Sequence, residues 1–345
     1  MEVSTGCGTT GVVGLLAGDK GGDCIGLRAD MDCLRLQEKS GVAHASKRKD
    51  FMHGCGHDGH VASLVGAAHV LAKMADLLPC PVKFIFQPGE ENGAGAKKMI
   101  DDGVLEEPRV RTIFGLHGTP SLPLGTFGLR TGPMMAVSSY FRIVIRGEGT
   151  HAAMPHKGKD MVLVASHIVC AAHSIVSRSI DPLEAALLSI PIFNGSQAAN
   201  VLPEEVVLEG TLRSLSDRVL ATLQRRLSEV VEGCSRAFGA TAQVSFSGGY
   251  PLLVNEGRSA DYLARMATEV VGTARVKREY APSLGAEDFA YYLQSIPGAF
   301  CWFGLGRGGT DEPPLHSPYF DFNDEALPLA MELLCRLALH GRECF

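Results

Sequence analysis

The sequence has no basic excess. Its 32 Lys and Arg are outnumbered by 38 Asp and Glu, a formal charge of −6, so no positive field is present to hold a nucleic-acid backbone. It has no C-x-x-C pair. Ten cysteines are scattered from Cys7 to Cys344, which argues against a disulfide framework and fits a reduced compartment. The chain does not open on a basic segment followed by an apolar one, so no secretory leader is expected. The apolar stretch 161–176 is interrupted by Ser166, His167, His173 and Ser174 and falls short of the roughly 20 apolar residues of a membrane span; a buried helix is expected instead. G-x-S-x-G and the P-loop pattern are both missing, which removes a serine-hydrolase elbow and a Walker-type phosphate cradle. These absences predict a cytoplasmic protein with neither a nucleic-acid nor a membrane partner.

What is present is ordinary globular material. Hydrophobic residues make up 46% and charged residues 20% of 345 positions, enough for a large core and a length that suggests about two domains. Short apolar runs at 24–29, 82–86, 112–116 and 299–304 alternate with helical patterns at 61–78, 94–102, 259–271, 286–294 and 324–340. That alternation predicts an α/β domain with a mixed, largely parallel sheet. Between these halves the order is β-α-β-β-α-β, with strands at 140–146, 185–193, 204–212 and 242–246 and helices at 161–176 and 217–238, a ferredoxin-like α+β insertion. The expected division is 1–132 with 247–345 as one discontinuous domain and 133–246 as the satellite.

Chemistry concentrates in Met52-His53-Gly54-Cys55-Gly56-His57-Asp58-Gly59-His60. His53, Cys55, His57 and His60 are all metal-ligand types, and in an extended segment the first three would share one side. Gln87-Pro88-Gly89-Glu90-Glu91 follows the strand at 82–86, where open α/β sheets collect ligands. Of two adjacent carboxylates there, one can bind a metal while the other takes a proton from water; alone, the pair would pass for a solvated acidic turn. His117 ends the run at 112–116, and His316 lies in a polar loop before the last helix. His151 follows the first strand of the insertion, and Asn200 and Arg213 flank its third strand. An Arg so held can fork onto a carboxylate.

Seven motifs occur in one order: M-H-G-C-G-H-D-G-H, Q-P-G-E-E, G-L-H, G-T-H-A-A-M-P-H, N-V-L-P, G-A-E-D-F and L-H-S-P-Y-F-D-F. From about Gly8 to about Leu339 the chain resembles the metal-dependent amidohydrolases of the aminoacylase/carboxypeptidase group, in particular the hippurate hydrolase and auxin-conjugate hydrolase branch. The resemblance implies a phosphorylase/hydrolase-like catalytic domain of the zinc-exopeptidase type, with two divalent ions, Mn or Zn and with Co or Ni as further candidates. It implies a lid-like satellite domain used for homodimerisation. By motif match the implied ligands are Cys55, His57, Glu91, His117 and His316, and Glu90 is the implied general base. His151 matches a lid residue that stabilises the oxyanion, and Asn200 and Arg213 match lid residues that contact substrate. The implied substrate is a small N-acyl amino acid or peptide-like conjugate.

The chain departs from that pattern in places. It starts near the family's second strand, which reads as an N-terminally short version. Arg35 stands where Pro is usual, Thr150 where Gly is usual and Met161 where Pro is usual. Two rival readings are a non-catalytic metal-binding or assembly protein of the same fold, and a thiol hydrolase using Cys55 as nucleophile with His57 as its base.

Overall fold

The computed structural model describes residues 1–17, 22–309 and 312–345. The chain clusters into two compact units: Met1–Met134 with Leu253–Ala281 and Glu287–Phe345, and Met135–Leu252 with Pro282–Ala286.

In the first unit, eight strands among the described residues form one sheet. Its middle is parallel: Val82–Gln87, Cys24–Asp30, Val110–Pro123 and Gly298–Gly306 lie side by side in that order. These strands read as unbroken apolar runs because both faces are covered, and every residue of Cys24–Asp30 is buried. An antiparallel hairpin, Glu2–Cys7 and Gly11–Leu16, extends one edge. Phe127–Gly128 and Val276–Lys277 extend the other.

Helices His57–Lys73, Gly257–Val271 and Leu327–Leu339 contribute Leu64, Leu71, Leu263, Met266, Leu333 and Leu337 to a core shared with Leu27, Phe84, Phe114 and Phe303. Alternation along the strand turns Phe300 to the opposite face, where its ring packs 5.7 Å from that of Phe289, just before helix Ala290–Ser295. The chain runs from Cys24–Asp30 to Val82–Gln87 on one side, then crosses back to Val110–Pro123 on the other. That reversal creates the crevice where ligands of such sheets bind.

The second unit carries a four-stranded antiparallel sheet in the order Ala186–Asn194, Glu205–Ser214, Val137–Arg146, Thr241–Ser247, with helices Met161–Ser179 and Asp217–Ala237. This is the ferredoxin-like arrangement. Asp160 and Ser216 cap the two helices by accepting amide hydrogen bonds from Val162 and Leu163, and from Val219.

Three expectations are corrected. Helix Met161–Ser179 has 19 residues and is long and apolar enough to cross a membrane by length and composition; its buried side, with Met161, Val164, Ala165, Ile168, Ala172 and Ile175, packs in the core of its own unit. The helix expected from 61 starts at His57, because Gly56 takes a left-handed conformation (φ 83°) that turns the chain directly into the first helical turn. The expected extended face of His53, Cys55 and His57 is therefore replaced by a turn followed by a helix. The helix expected at 286–294 covers only Ala290–Ser295, since Glu287 and Asp288 are drawn into buried ion pairs instead.

Candidate metal centre

The glycines of the 52–60 motif let an aromatic cover close on it. A Cβ at Gly56 would lie 3.1 Å from Phe322, and one at Gly59 would overlap the same ring. With the turn pressed in this way, Cys55 and His57 are buried. Cys55 Sγ lies 3.4 Å from His117 Nε2. His117 Nδ1 is 2.8 Å from the Gly118 carbonyl, so Nδ1 carries the proton and Nε2 presents its lone pair.

His57 is arranged in the same sense. Its Nδ1 lies 3.1 Å from the Asp32 carbonyl and 3.4 Å from the Asp32 carboxylate, while its buried Nε2 has no hydrogen-bond partner among the described residues. Glu91 Oε1 is likewise buried without one. It stands 4.0 Å from His57 Nε2 and 3.4 Å from His316 Nε2. The loop bearing His316 is tied to the motif by the His316 amide, which donates to Gly54 O at 2.7 Å; His316 itself has φ 66°. Donor atoms of Cys55, His57 and Glu91 all lie within 4.8 Å of one another. Buried polar atoms left unpaired are costly, and sulfur, imidazole and carboxylate donors turned toward one space fit divalent cations.

The structure thus brings Cys55, His57, Glu91, His117 and His316 together and keeps His53 out of the group. Glu90 is buried beside them. Its amide and that of Glu91 donate to the two oxygens of the Asp32 carboxylate, each at 3.1 Å, and its own Oε1 accepts from the Asp288 amide at 3.4 Å. The other three expected site residues lie in the second unit. His151 pairs with Val201 in a short ribbon and its Nδ1 accepts from Ala153 N at 3.1 Å. The Asn200 carbonyl accepts from Ala152 N at 2.9 Å. Arg213 is half-buried and donates to the Leu284 carbonyl at 3.0 Å.

Electrostatics follow the acids. Burial opposes charge on His57, but Asp30, Asp32 and Glu91 outweigh it and lift the ring to about 9; the pocket favours a positive occupant. Burial, with Glu91, Glu90 and Asp30 adding to it, pushes the Cys55 thiol well up. A cation in the pocket reverses that balance. Burial and the neighbouring Glu287, Asp288 and Asp30 raise Glu90 well above the usual carboxylate range.

Behind these lies a layer that sequence reasoning did not resolve: it named His60 as a ligand type and did not single out Arg28 or Asp30. His60 is buried, with Nδ1 2.6 Å from Asp30 Oδ1 and Nε2 accepting the Gly118 amide at 2.9 Å. Both nitrogens are thus engaged, and His60 supports the centre without a free lone pair. Arg28, Asp30, Glu287 and Asp288 are fully buried. The available signal was charged residues at the end of an apolar strand and in the G-A-E-D-F motif.

The profile of Peptidase family M20/M25/M40 matches residues 26–340. The chain belongs to this family. The M20 chain is 41% identical to the N-acetyl-L-cysteine deacetylase of Bacillus subtilis (strain 168) over 319 residues, 92% of this chain and 74% of that protein. It is 37% identical to the IAA-amino acid hydrolase ILR1-like 4 of Arabidopsis thaliana, covering 95% and 75% of the two chains. Among solved structures it is similar to the Bacillus subtilis YXEP protein, described as a dinuclear metal binding peptidase from the M20 family, at TM-score 0.83 and 33% identity, covering 99% and 87%. The M20 chain is a metal-dependent amidohydrolase.

Proposed function

We propose that this chain hydrolyses the amide bond of N-acyl amino acids or small peptide-like conjugates, at two divalent ions held by Cys55, His57, Glu91, His117 and His316. The observation that carries the reading is the pair of buried atoms His57 Nε2 and Glu91 Oε1, each without a hydrogen-bond partner among the described residues, beside the Cys55 sulfur. Relatives whose names specify N-acetyl-L-cysteine and IAA-amino acids support the substrate class. Manganese or zinc suits the donors, the thiolate favouring zinc and the carboxylate and imidazoles admitting manganese, cobalt or nickel.

When bound, the ions polarise the scissile carbonyl and make water acidic enough to be deprotonated near neutral pH. Glu90 acts as general base: its carboxylate takes the proton from the attacking water and passes it to the leaving nitrogen. A carboxylate whose proton affinity is already raised by burial suits both halves of that transfer. His151 stabilises the developing oxyanion, Arg213 holds the substrate's free carboxylate, and Asn200 contacts the substrate beside it. In the same proposal the ferredoxin-like unit serves as lid and as the face of a homodimer.

The thiol-hydrolase alternative is weakened, since a buried thiol pushed up by burial and by Glu91 is a poor source of thiolate. The test combines metal analysis with a panel of N-acyl amino acids. Hydrolysis is expected to stop with a strong chelator and return with manganese or zinc, and Glu90→Gln is expected to retain metal but lose turnover. Chelator-resistant hydrolysis, or a fully metallated protein inert on the whole panel, overturns the reading.

A further inference from the structure

Arg28 lies on a strand buried at every position, and its side chain has no solvent exposure. Burying a guanidinium is costly, and a network of buried ions is often no more stable than apolar packing of the same volume. Its presence therefore calls for a reason other than stability. All three of its nitrogens are used. Nη1 donates to Asp30 Oδ2 at 2.7 Å, Nη2 to Glu287 Oε1 at 2.9 Å and to Asp288 Oδ1 at 3.0 Å, and Nε to Gln87 Oε1 at 2.8 Å. Gln87 completes a ring by donating from Nε2 to both Asp288 oxygens, at 2.8 and 2.9 Å. The Phe289 ring lies under the guanidinium carbon at 5.7 Å.

Two threads lead from this node to the reacting groups. On one, the Asp288 side chain is held by Arg28 and Gln87 while its backbone amide donates to Glu90 Oε1. On the other, Asp30 passes the constraint to His60, and His60 to the Gly118 amide beside His117. We propose that Arg28 is a positioning residue for the hydrolytic reaction, its planar fork locking the Glu287–Asp288 turn so that the Asp288 amide fixes the orientation of the Glu90 carboxylate. The inference rests on the reading of Glu90 as general base. Lysine cannot replace the fork, because one ammonium on a flexible stem does not reach four acceptors in the plane of a guanidinium.

The experiment compares Arg28→Lys, Gln87→Met, the double variant and Glu90→Gln in metal-loaded protein. A misaligned base lowers kcat without changing substrate binding. Arg28→Lys is expected to lose about 10- to 100-fold in kcat, the range of outer-layer residues around metal sites, with KM and bound metal per chain within about twofold of wild type. Gln87→Met, of similar length, removes the acceptor of Arg28 Nε and the amide donor to Asp288 while leaving the three carboxylate partners of the guanidinium in place, and is expected to lower kcat severalfold. The double variant is expected to be little worse than Arg28→Lys alone, because both act through one turn. Should Arg28→Lys fail to fold, Gln87→Met carries the test alone. Turnover at the wild-type kcat in the folded variants overturns the inference, as does a loss confined to melting temperature. Turnover retained in Glu90→Gln overturns the general-base reading instead, which separates the two failures.

Discussion

Cys55 Sγ and His117 Nε2 stand 3.4 Å apart in a buried site although 62 residues separate them in the chain. They are in hydrogen-bond contact, yet each is also fixed by its own element. The sulfur is carried by the turn before helix His57–Lys73, and the imidazole by strand Val110–Pro123 with its Nδ1 on the Gly118 carbonyl. Two independently fixed donors turned toward the same space predict that each side chain is needed for full metal occupancy. Cys55→Ala and His117→Ala are each expected to lower the metal bound per chain and to cut kcat/KM by about 100-fold or more. Cys55→Ser removes the soft donor at nearly constant size, so zinc affinity should fall more than manganese affinity. Metal analysis and competition with a chelator check both outcomes.

His60 predicts a different signature. Its two nitrogens are engaged by Asp30 and by the Gly118 amide, and its ring lies 4.5 Å from that of His117. Removing it frees the strand end that aims His117 but deletes no ligand. His60→Ala should keep the wild-type metal stoichiometry at saturating metal while binding metal about 10- to 100-fold more weakly. A chelator titration read against the stoichiometry of His117→Ala distinguishes support from ligation.

How far the sequence carries depends on the reach of each contact. Strand Cys24–Asp30 was legible because burial on two faces leaves an unbroken apolar run. The hairpin Glu2–Cys7 and Gly11–Leu16 was not, since the first of these strands is exposed along most of its length and shows no apolar alternation. The five proposed donors are named by residue type and motif order. Their supports are not, because Arg28 meets Glu287 and Asp288 across separations of 259 and 260 residues, and no local pattern encodes such a pairing. The start of the helix at His57 was missed for a conformational reason. Gly54 and Gly56 read as loop, whereas the left-handed Gly56 is the joint that starts the helix.

Gly59 tests how closely that helix is pressed against its cover. Alanine in place of glycine inside a helix normally gains up to about 1 kcal/mol. Here the added methyl would overlap the Phe322 ring, which is itself buried, and overpacking typically costs about 1 to 3 kcal/mol. The steric cost outweighs the propensity gain, so Gly59→Ala should lower the melting temperature. Phe322→Leu in the Gly59→Ala background should recover part of the loss. A Gly59→Ala protein more stable than wild type would show that the ring yields.

Glu256 predicts an acid-sensitive contribution to stability that involves none of the proposed metal donors. It precedes helix Gly257–Val271, and its carboxylate accepts from the amides of Arg258 at 2.9 Å and Ser259 at 2.7 Å and from the Ser259 hydroxyl at 2.7 Å. Burial works against the charge, but the hydrogen bonds from Ser259 and Arg258 prevail and hold the carboxyl below its ordinary range. A group whose pKa is lower in the folded than in the unfolded chain stabilises the fold while it is ionised. That stability is fully present above the ordinary glutamate value of about 4.3 and is lost as pH falls through the lowered folded value. Glu256→Ala should therefore cost about 1 kcal/mol at neutral pH, the usual worth of a helix cap. The gap between variant and wild type should close on acidification, because the wild type loses what the variant never had. Urea unfolding of both proteins at neutral pH and at a series of acid values measures that gap directly. A difference that stays constant down to the most acid value at which both remain folded would assign the cap's effect to its shape and not to its charge.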